Sequence, residues 1–589
     1  MKNEENLKRI YDTLFSTNYL INYGYFDITP NSDHLNHLTS YGKSDAFYLK
    51  VFNMSKLANY VTKNHSNINK LLKTSKIYST EPISFTIPKN NISRREYKIL
   101  NIYSYLLLMF FIQNNKESIQ GIFLQNKFST SKFFSLADFD FNFTDKLKKS
   151  LLFGGKHILN LDLSNFYHSL YTHSIPWVIM GKKEAKRNKD TGFSNELDFL
   201  IRSCQYNQTH GIPTGNTLSR IITELYMCHI DSKMESQGYK YARYVDDISF
   251  PFNFEEEKDK FYRDFNKLCM EYELNINDKK TTINDFPFIH TQNKDIIFNY
   301  FENYNSYTKD KTWIKGIKNF IDLCIDEERK GNKGSIKCVF TVLENAFRYK
   351  KIGKKKITKI FSYNDKITGF SLLKFLLDLS LKDSKLTNRF LSLMNYLSNK
   401  IGSKTLIKKH IKEYFEYRKN DISELLIFYN KNNYHQELYQ VLIYTVEYDI
   451  DFMKKKNTLL LINENTDDLS LSLLTIIYLR KGWKIKGLIK KIDCLFKNST
   501  NSYPKNVGRM SQKMWFFRYF FYYLMQEDLI KKSDVNKYCS SKNYANNNKG
   551  YITELNWKYI NSNDPVDSFF NMLLEDRIPL VDLKYVGLK

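Results

Sequence analysis

At 589 residues and 70.2 kDa the chain is too long for a single hydrophobic core and predicts two or three folding units. Charged residues at 26% and hydrophobic residues at 42% argue against a disordered chain, and no apolar run is long enough to predict a membrane span. A net charge of +26 with a pI near 9.3 points to a polyanionic partner, nucleic acid first, although A/T-rich coding alone also enriches Lys and Asn.

In chain order, the opening MKNEENLKRI has no apolar stretch of the kind a secretory signal needs. The seven cysteines lie far apart without a Cys-x-x-Cys pair, so a reducing, cytoplasmic setting is expected. The segment IPKNNISRREYKILN (87–101) offers Lys89, Arg94 and Arg95 as a clamp for a triphosphate, with a solvated basic surface as the plain alternative.

HILNLDL (157–163) reads as a strand ending in Asp162, a carboxylate that is costly to bury without a partner. Next comes HGIPTGNTLSR (210–220), a tight backbone at Gly211, Pro213 and Gly215 before a helix over 216–234; a cap at Asn216 or Thr217 is its plain reading. YARYVDDISFPF (241–252) then sets Asp246 and Asp247 inside aromatic, β-branched sequence. A polar hairpin turn explains the doublet alone. With Asp162 brought beside it, the three carboxylates would repel, and two Mg²⁺ ions between them would resolve the conflict. Such a pair activates an attacking 3′-oxygen and stabilises leaving pyrophosphate. A helix is predicted over 255–272, and in ELNINDKKT (273–281) Lys280 is a candidate proton donor to pyrophosphate.

Beyond about residue 310 strand signals give way to amphipathic helices separated by Asn/Lys/Ser-rich turns, which predicts stacked helical pairs. MWFFRYFFYYLM (514–525) carries Arg518 and is expected to be a buried helix.

Taken in order, a basic finger segment, strand-Asp, Gly-rich turn with helix, Asp-Asp hairpin and Asn-x-x-Lys-Thr resemble the fingers and palm of a reverse transcriptase over roughly residues 80–290. The resemblance implies that Tyr167 crowds a ribose 2′-OH and so selects dNTPs. It also implies that Gly211, Thr214, Gly215 and Asn216 line the nucleotide site. Asp162 and Asp246 would ligate Mg²⁺, for which Mn²⁺ could substitute, with Asp247 a secondary ligand. The segments YGKSD (41–45), KFSTSKFF (127–134), NLDLSNFYHSLYTHSIPW (160–177), GIPTGNTLSRIITELYMCH (211–229) and TELNW (553–557) are similar to abortive-infection reverse transcriptases of the AbiK type.

That likeness implies a cytoplasmic bacterial protein of phage defence that polymerises DNA without a template. Synthesis would start on its own tyrosine, for which YGKSDAFY points to Tyr41, leaving single-stranded DNA covalently attached. It also implies a homo-oligomer, with a hexamer the expected count. The expected fold is an α+β fingers-and-palm domain over residues 1–300, followed by an all-α HEAT-like helical-repeat domain over 301–589. Thr214 stands where templated relatives carry Gln, and Ser219-Arg220 where they carry Ser-Pro. Two alternatives remain: a templated RNA-directed DNA polymerase with a non-coding RNA partner, and a non-catalytic phage-sensing scaffold.

Overall fold

A computed structural model describes residues 2–28, 48–74, 78–90, 92–136, 139, 141–187, 192–288, 294–402, 405–500, 510–539 and 564–589. Two antiparallel sheets carry the β structure among these residues. The hairpin of β1 (Ile83–Pro88) and β2 (Arg94–Ile99) stands apart from a four-stranded sheet of order β4-β5-β3-β6.

In that second sheet β3 (His157–Asp162) is central, between β5 (Asp247–Phe252) and the exposed edge strand β6 (Thr282–Asp285), with the short β4 (Ala242–Tyr244) outermost. Ile158, Leu159 and Leu161 of β3 are buried, which is why its sequence reads as an apolar run. The register sets Asp162 directly opposite Asp247. The sequence-predicted strands and the two palm helices, Thr217–Ser236 and Glu255–Glu271, differ from these elements only at their ends.

The turn between β4 and β5 is only Val245 and Asp246, since Tyr244 pairs with Asp247. Val245 sits at φ 55, a left-handed conformation that a β-branched residue disfavours and that glycine usually fills in such hairpins. Two bonds hold it there: Val245 N donates to Ser131 Oγ at 2.9 Å, and its carbonyl accepts from Arg243 Nη1 at 3.0 Å.

Arg243 is itself wholly buried beneath the turn. Its guanidinium meets Glu224 Oε1 and Asp231 Oδ2, each at 2.8 Å. Those carboxylates are seven residues apart on helix Thr217–Ser236 and so share a face. Each has further donors, Ser129 and Ser131 to Glu224 at 2.6 and 2.7 Å, and Tyr241 and Asn126 to Asp231 at 2.7 and 2.8 Å. Burial pushes the Glu224 carboxyl up, yet Arg243 and the two serine hydroxyls hold it below its ordinary range. The segment KFSTSKFF thus acts as a brace, and its backbone also pairs with β4: Arg243 N donates to Phe128 O, and Thr130 N to Arg243 O.

From Asp310 onward the described residues form helices and no strand, among them Asp310–Arg329, Thr387–Ile401, His435–Tyr448, Asp468–Arg480 and the buried Trp515–Gln526. No helix is long and apolar enough to cross a membrane among the described residues. Apolar packing is continuous across residue 300. One hydrophobic core runs from Leu7 to Val586, and C-terminal residues brace the first half: Asn101 Nδ2 donates to Met510 O at 2.8 Å and Asp582 N to Val51 O at 2.9 Å.

Replacing Arg243 with Met leaves Glu224 and Asp231 buried without their cation. The expected loss is about 3–5 kcal/mol of stability, read from urea unfolding. Replacing Lys127, whose pair with Glu235 lies in solvent, is expected to leave the unfolding midpoint unchanged.

Candidate active site

The end of β3 and the β4–β5 turn open into a cavity of about 650 Å³ lined by Asp162, Asp246 and Asp247 together with Lys280. Asp162 is nearly buried, and its oxygens accept from Asn277 Nδ2 at 3.1 Å and Lys280 Nζ at 2.7 Å. Both donors come from the turn after helix Glu255–Glu271, which is fastened by Asn277 N donating to Asp162 O at 2.8 Å. Burial, then the charge of Asp247, pushes the Asp246 carboxyl up to about 6, with Asp162 adding to the rise and Lys280 opposing it. Asp247 is also raised, first by burial and then by Asp162, whose side chain it meets.

Hard oxygen donors, crowded enough that Asp246 and Asp247 are both raised, suit a divalent cation. As the side chains stand, however, no group of three or more His, Cys, Asp or Glu among the described residues is close enough to enclose one. The fit therefore rests on donor chemistry.

Opposite the carboxylates, Tyr167 lies on the short helix Phe166–Ser169 and its hydroxyl accepts from Thr223 Oγ1 at 3.3 Å. Burial pushes this phenol up to about 12, so it stays neutral. The Pro213-Thr214-Gly215 turn completes the wall by pairing with β2: Lys98 N donates to Thr214 O at 3.1 Å and Thr214 Oγ1 to Glu96 O at 3.0 Å. Gly215 has φ 102, and a Cβ there would come within 3.2 Å of the Tyr97 ring. Asn216 lines the cavity and also caps the long helix, its side chain accepting from Ser219 N at 2.9 Å.

Gly211 departs from the sequence expectation. It is absent from the cavity wall and lies behind it, donating to Leu170 O at 2.9 Å, with φ 81 and room for no side chain against the backbone of His168. Arg94 departs too. It reaches the cavity edge, but its guanidinium is held by Glu437 at 2.6 and 2.8 Å and lies 4.1 Å from the ring centre of Tyr434, so it ties the β1–β2 hairpin to the helical half. Lys89 and Arg95 remain exposed at the cavity rim. Tyr41 lies outside the described residues.

Among the lining residues with no role assigned from sequence, two form an ion pair. Arg220, one turn into the long helix, pairs with Asp27 at 2.9 Å. The Arg was visible as a departure from Ser-Pro, whereas nothing near Asp27 marked it.

Residues 112–294 match the family described as reverse transcriptase (RNA-dependent DNA polymerase). The chain carries a reverse-transcriptase domain. It includes β3 to β6 and every acidic residue of the cavity except Asp27 and Glu96, and it is the domain of a nucleotidyltransferase, a DNA polymerase. No curated protein matches the chain. Among solved structures, apo telomerase from Candida tropicalis is 15% identical over 61% of this chain and 72% of that one, with a TM-score of 0.29. Telomerases in complex with a telomeric RNA fragment, from Candida tropicalis and Candida albicans, give 16% and 14% identity, 61% of this chain each, 66% and 68% of theirs, and TM-scores of 0.27 and 0.25. Likenesses this slight say nothing about activity.

Asp246→Asn is expected to cut nucleotide incorporation by about 10²–10³-fold or more while the unfolding midpoint holds. The two arginines separate by readout. Arg95→Met is expected to raise the KM for nucleotide roughly tenfold at unchanged stability, and Arg94→Met to lower the unfolding midpoint.

Proposed function

We propose that the chain is a protein-primed, template-independent DNA polymerase of bacterial phage defence, working in the cytoplasm as a homo-oligomer. The observation that carries the polymerase part is the convergence of Asp162, Asp246 and Asp247 with Lys280 and Tyr167 on one cavity.

Asp162 and Asp246 would hold Mg²⁺, with Asp247 a secondary ligand. Bound there, a cation pair supplies charge neutralisation at the attacking hydroxyl and the leaving pyrophosphate. The chain's own groups do the rest. Lys89 and Arg95 bind the triphosphate at the rim, and Tyr167 fills the space a 2′-hydroxyl would need. Lys280, whose Nζ donates to Asp162 Oδ2, would hand its proton to pyrophosphate.

The untemplated part draws support from the Thr214 turn and the Arg220–Asp27 pair, which occupy the cavity wall where the sequence departs from templated relatives. Self-priming draws support from connectivity. Asp27 lines the cavity, and Tyr41 follows it by 14 residues in the sequence. The helical half is read as a HEAT-like stack that braces the fingers hairpin through Glu437.

The description of the matched family favours a second reading, RNA-templated synthesis. Incubating purified protein with labelled dNTPs and Mg²⁺ alone separates the two. Self-priming is expected to leave label on the protein, mapped by mass spectrometry to Tyr41 and lost in Tyr41→Phe. Incorporation that appears only after an RNA template is added contradicts it.

A further inference from the structure

One wall of the reaction cavity carries a pair of opposite charges that metal, phosphate and proton chemistry leave unused. Arg220 and Asp27 meet at 2.9 Å, and their side chains are 31% and 29% exposed, so a ligand in the cavity can reach both. Only one edge of the pair is occupied. Asp27 Oδ1 accepts from Arg220 Nη1 at 2.9 Å and from Thr217 Oγ1 at 3.2 Å. Thr217 and Arg220 stand three apart on helix Thr217–Ser236 and so share a face. Among the described residues Asp27 Oδ2 accepts no hydrogen bond, and the Arg220 guanidinium donates no other.

The pair is not needed to dock the N-terminal segment. Gly24 already packs so closely on the helix that a Cβ there would come within 3.3 Å of Thr217, and Tyr105 Oη donates to Leu20 O at 2.6 Å. An ion pair this open to water adds little to the fold. It stands instead beside the residue assigned to the sugar: burial dominates the raised Tyr167 phenol, and the charges of Arg220 and Asp27 act on it in opposite senses.

With the triphosphate on Lys89 and Arg95 and the sugar against Tyr167, the base is the part of an incoming nucleotide still without polar partners. A template would supply them. In untemplated synthesis the base edge enters the cavity with its groups unpaired, which is costly unless the protein replaces them. All four bases set a donor beside an acceptor on that edge: N6–H and N1 in adenine, N4–H and N3 in cytosine, N1–H and O6 in guanine, N3–H and O4 in thymine. A free carboxylate oxygen next to guanidinium N–H groups is an acceptor beside donors, the complement of each.

We propose that the Asp27–Arg220 pair stands in for a template base and hydrogen-bonds the edge of the incoming dNTP, whichever base it carries. Asp27 Oδ2 accepts from the base N–H, and Arg220 donates to the neighbouring oxygen or ring nitrogen. The inference rests on the untemplated reading and deepens it.

The test compares two ligands within one protein. Isothermal titration calorimetry with Mg²⁺ and no template measures the α,β-imido triphosphates of thymidine and of 2,4-difluorotoluene deoxyriboside, which copies the shape of thymine without its hydrogen-bonding groups. Wild type is expected to bind the thymidine ligand about tenfold or more tightly. Arg220→Met and Asp27→Leu are each expected to remove most of that preference, while affinity for the difluorotoluene ligand stays within about twofold of wild type. Equal affinities in wild type overturn the inference, a comparison that stands even where a variant fails to fold. So does a variant with the wild-type unfolding midpoint that weakens both ligands alike, the mark of a purely structural pair, or one that keeps the wild-type preference. Incorporation of labelled dNTPs reports separately on the polymerase reading, so each can fail alone.

Discussion

The site depends on a guanidinium that never reaches it. Arg243 is buried under the β4–β5 turn, bound to two carboxylates of helix Thr217–Ser236, and it donates to the carbonyl of strained Val245. Without such an anchor, a turn carrying two aspartates beside a third would be pushed apart by its own charge. The strain at Val245 and the raised carboxyls above it are sustained by a network in which Arg243, Glu224 and Asp231 satisfy one another. That is why the acidic doublet comes so soon after Arg243 in the chain.

A second dependence runs across the molecule. The fingers hairpin has only two strands, a unit with little stability of its own. It is fixed on one side by the Thr214 turn and on the other by helix His435–Tyr448, through Arg94 with Glu437 and through Thr86 N donating to His435 Nδ1 at 3.1 Å. The helical half is therefore part of the active-site architecture. A change far along the sequence, at Glu437, is expected to act on the cavity rim through the strand that carries Arg95.

Much of this was readable in the residues, for identifiable reasons. β3 and the Asp-Asp hairpin are mostly apolar or aromatic sequence with the carboxylates set into it, so both the strands and their anomaly show in one dimension. Residue type narrowed the helix cap to Asn216 or Thr217, and Asn216 is the one that caps. Arg94 misled because an arginine's partner is set by tertiary contact, and Glu437 lies in the distant helical half. Gly211 misled because a left-handed glycine marks close backbone approach without saying to what; here it is the backbone of His168. The Arg243 clamp escaped notice because Glu224 and Asp231 look like ordinary polar positions until the helix faces inward. The division into two parts was visible as a change of element type, but the shared core was not, since contacts between distant segments leave no local period.

On the proposed reading, the buried clamp holds the β4–β5 turn so that Asp246 shares a cation with Asp162. Anomalous X-ray scattering from crystals grown with Mn²⁺ and a non-hydrolysable dNTP puts that to trial at the atoms concerned. A Mn²⁺ peak bridging oxygens of Asp162 and Asp246 is expected, and it is expected to be lost in Arg243→Met crystals in which the turn has moved. Ordered nucleotide in the cavity with no metal on either carboxylate would contradict it.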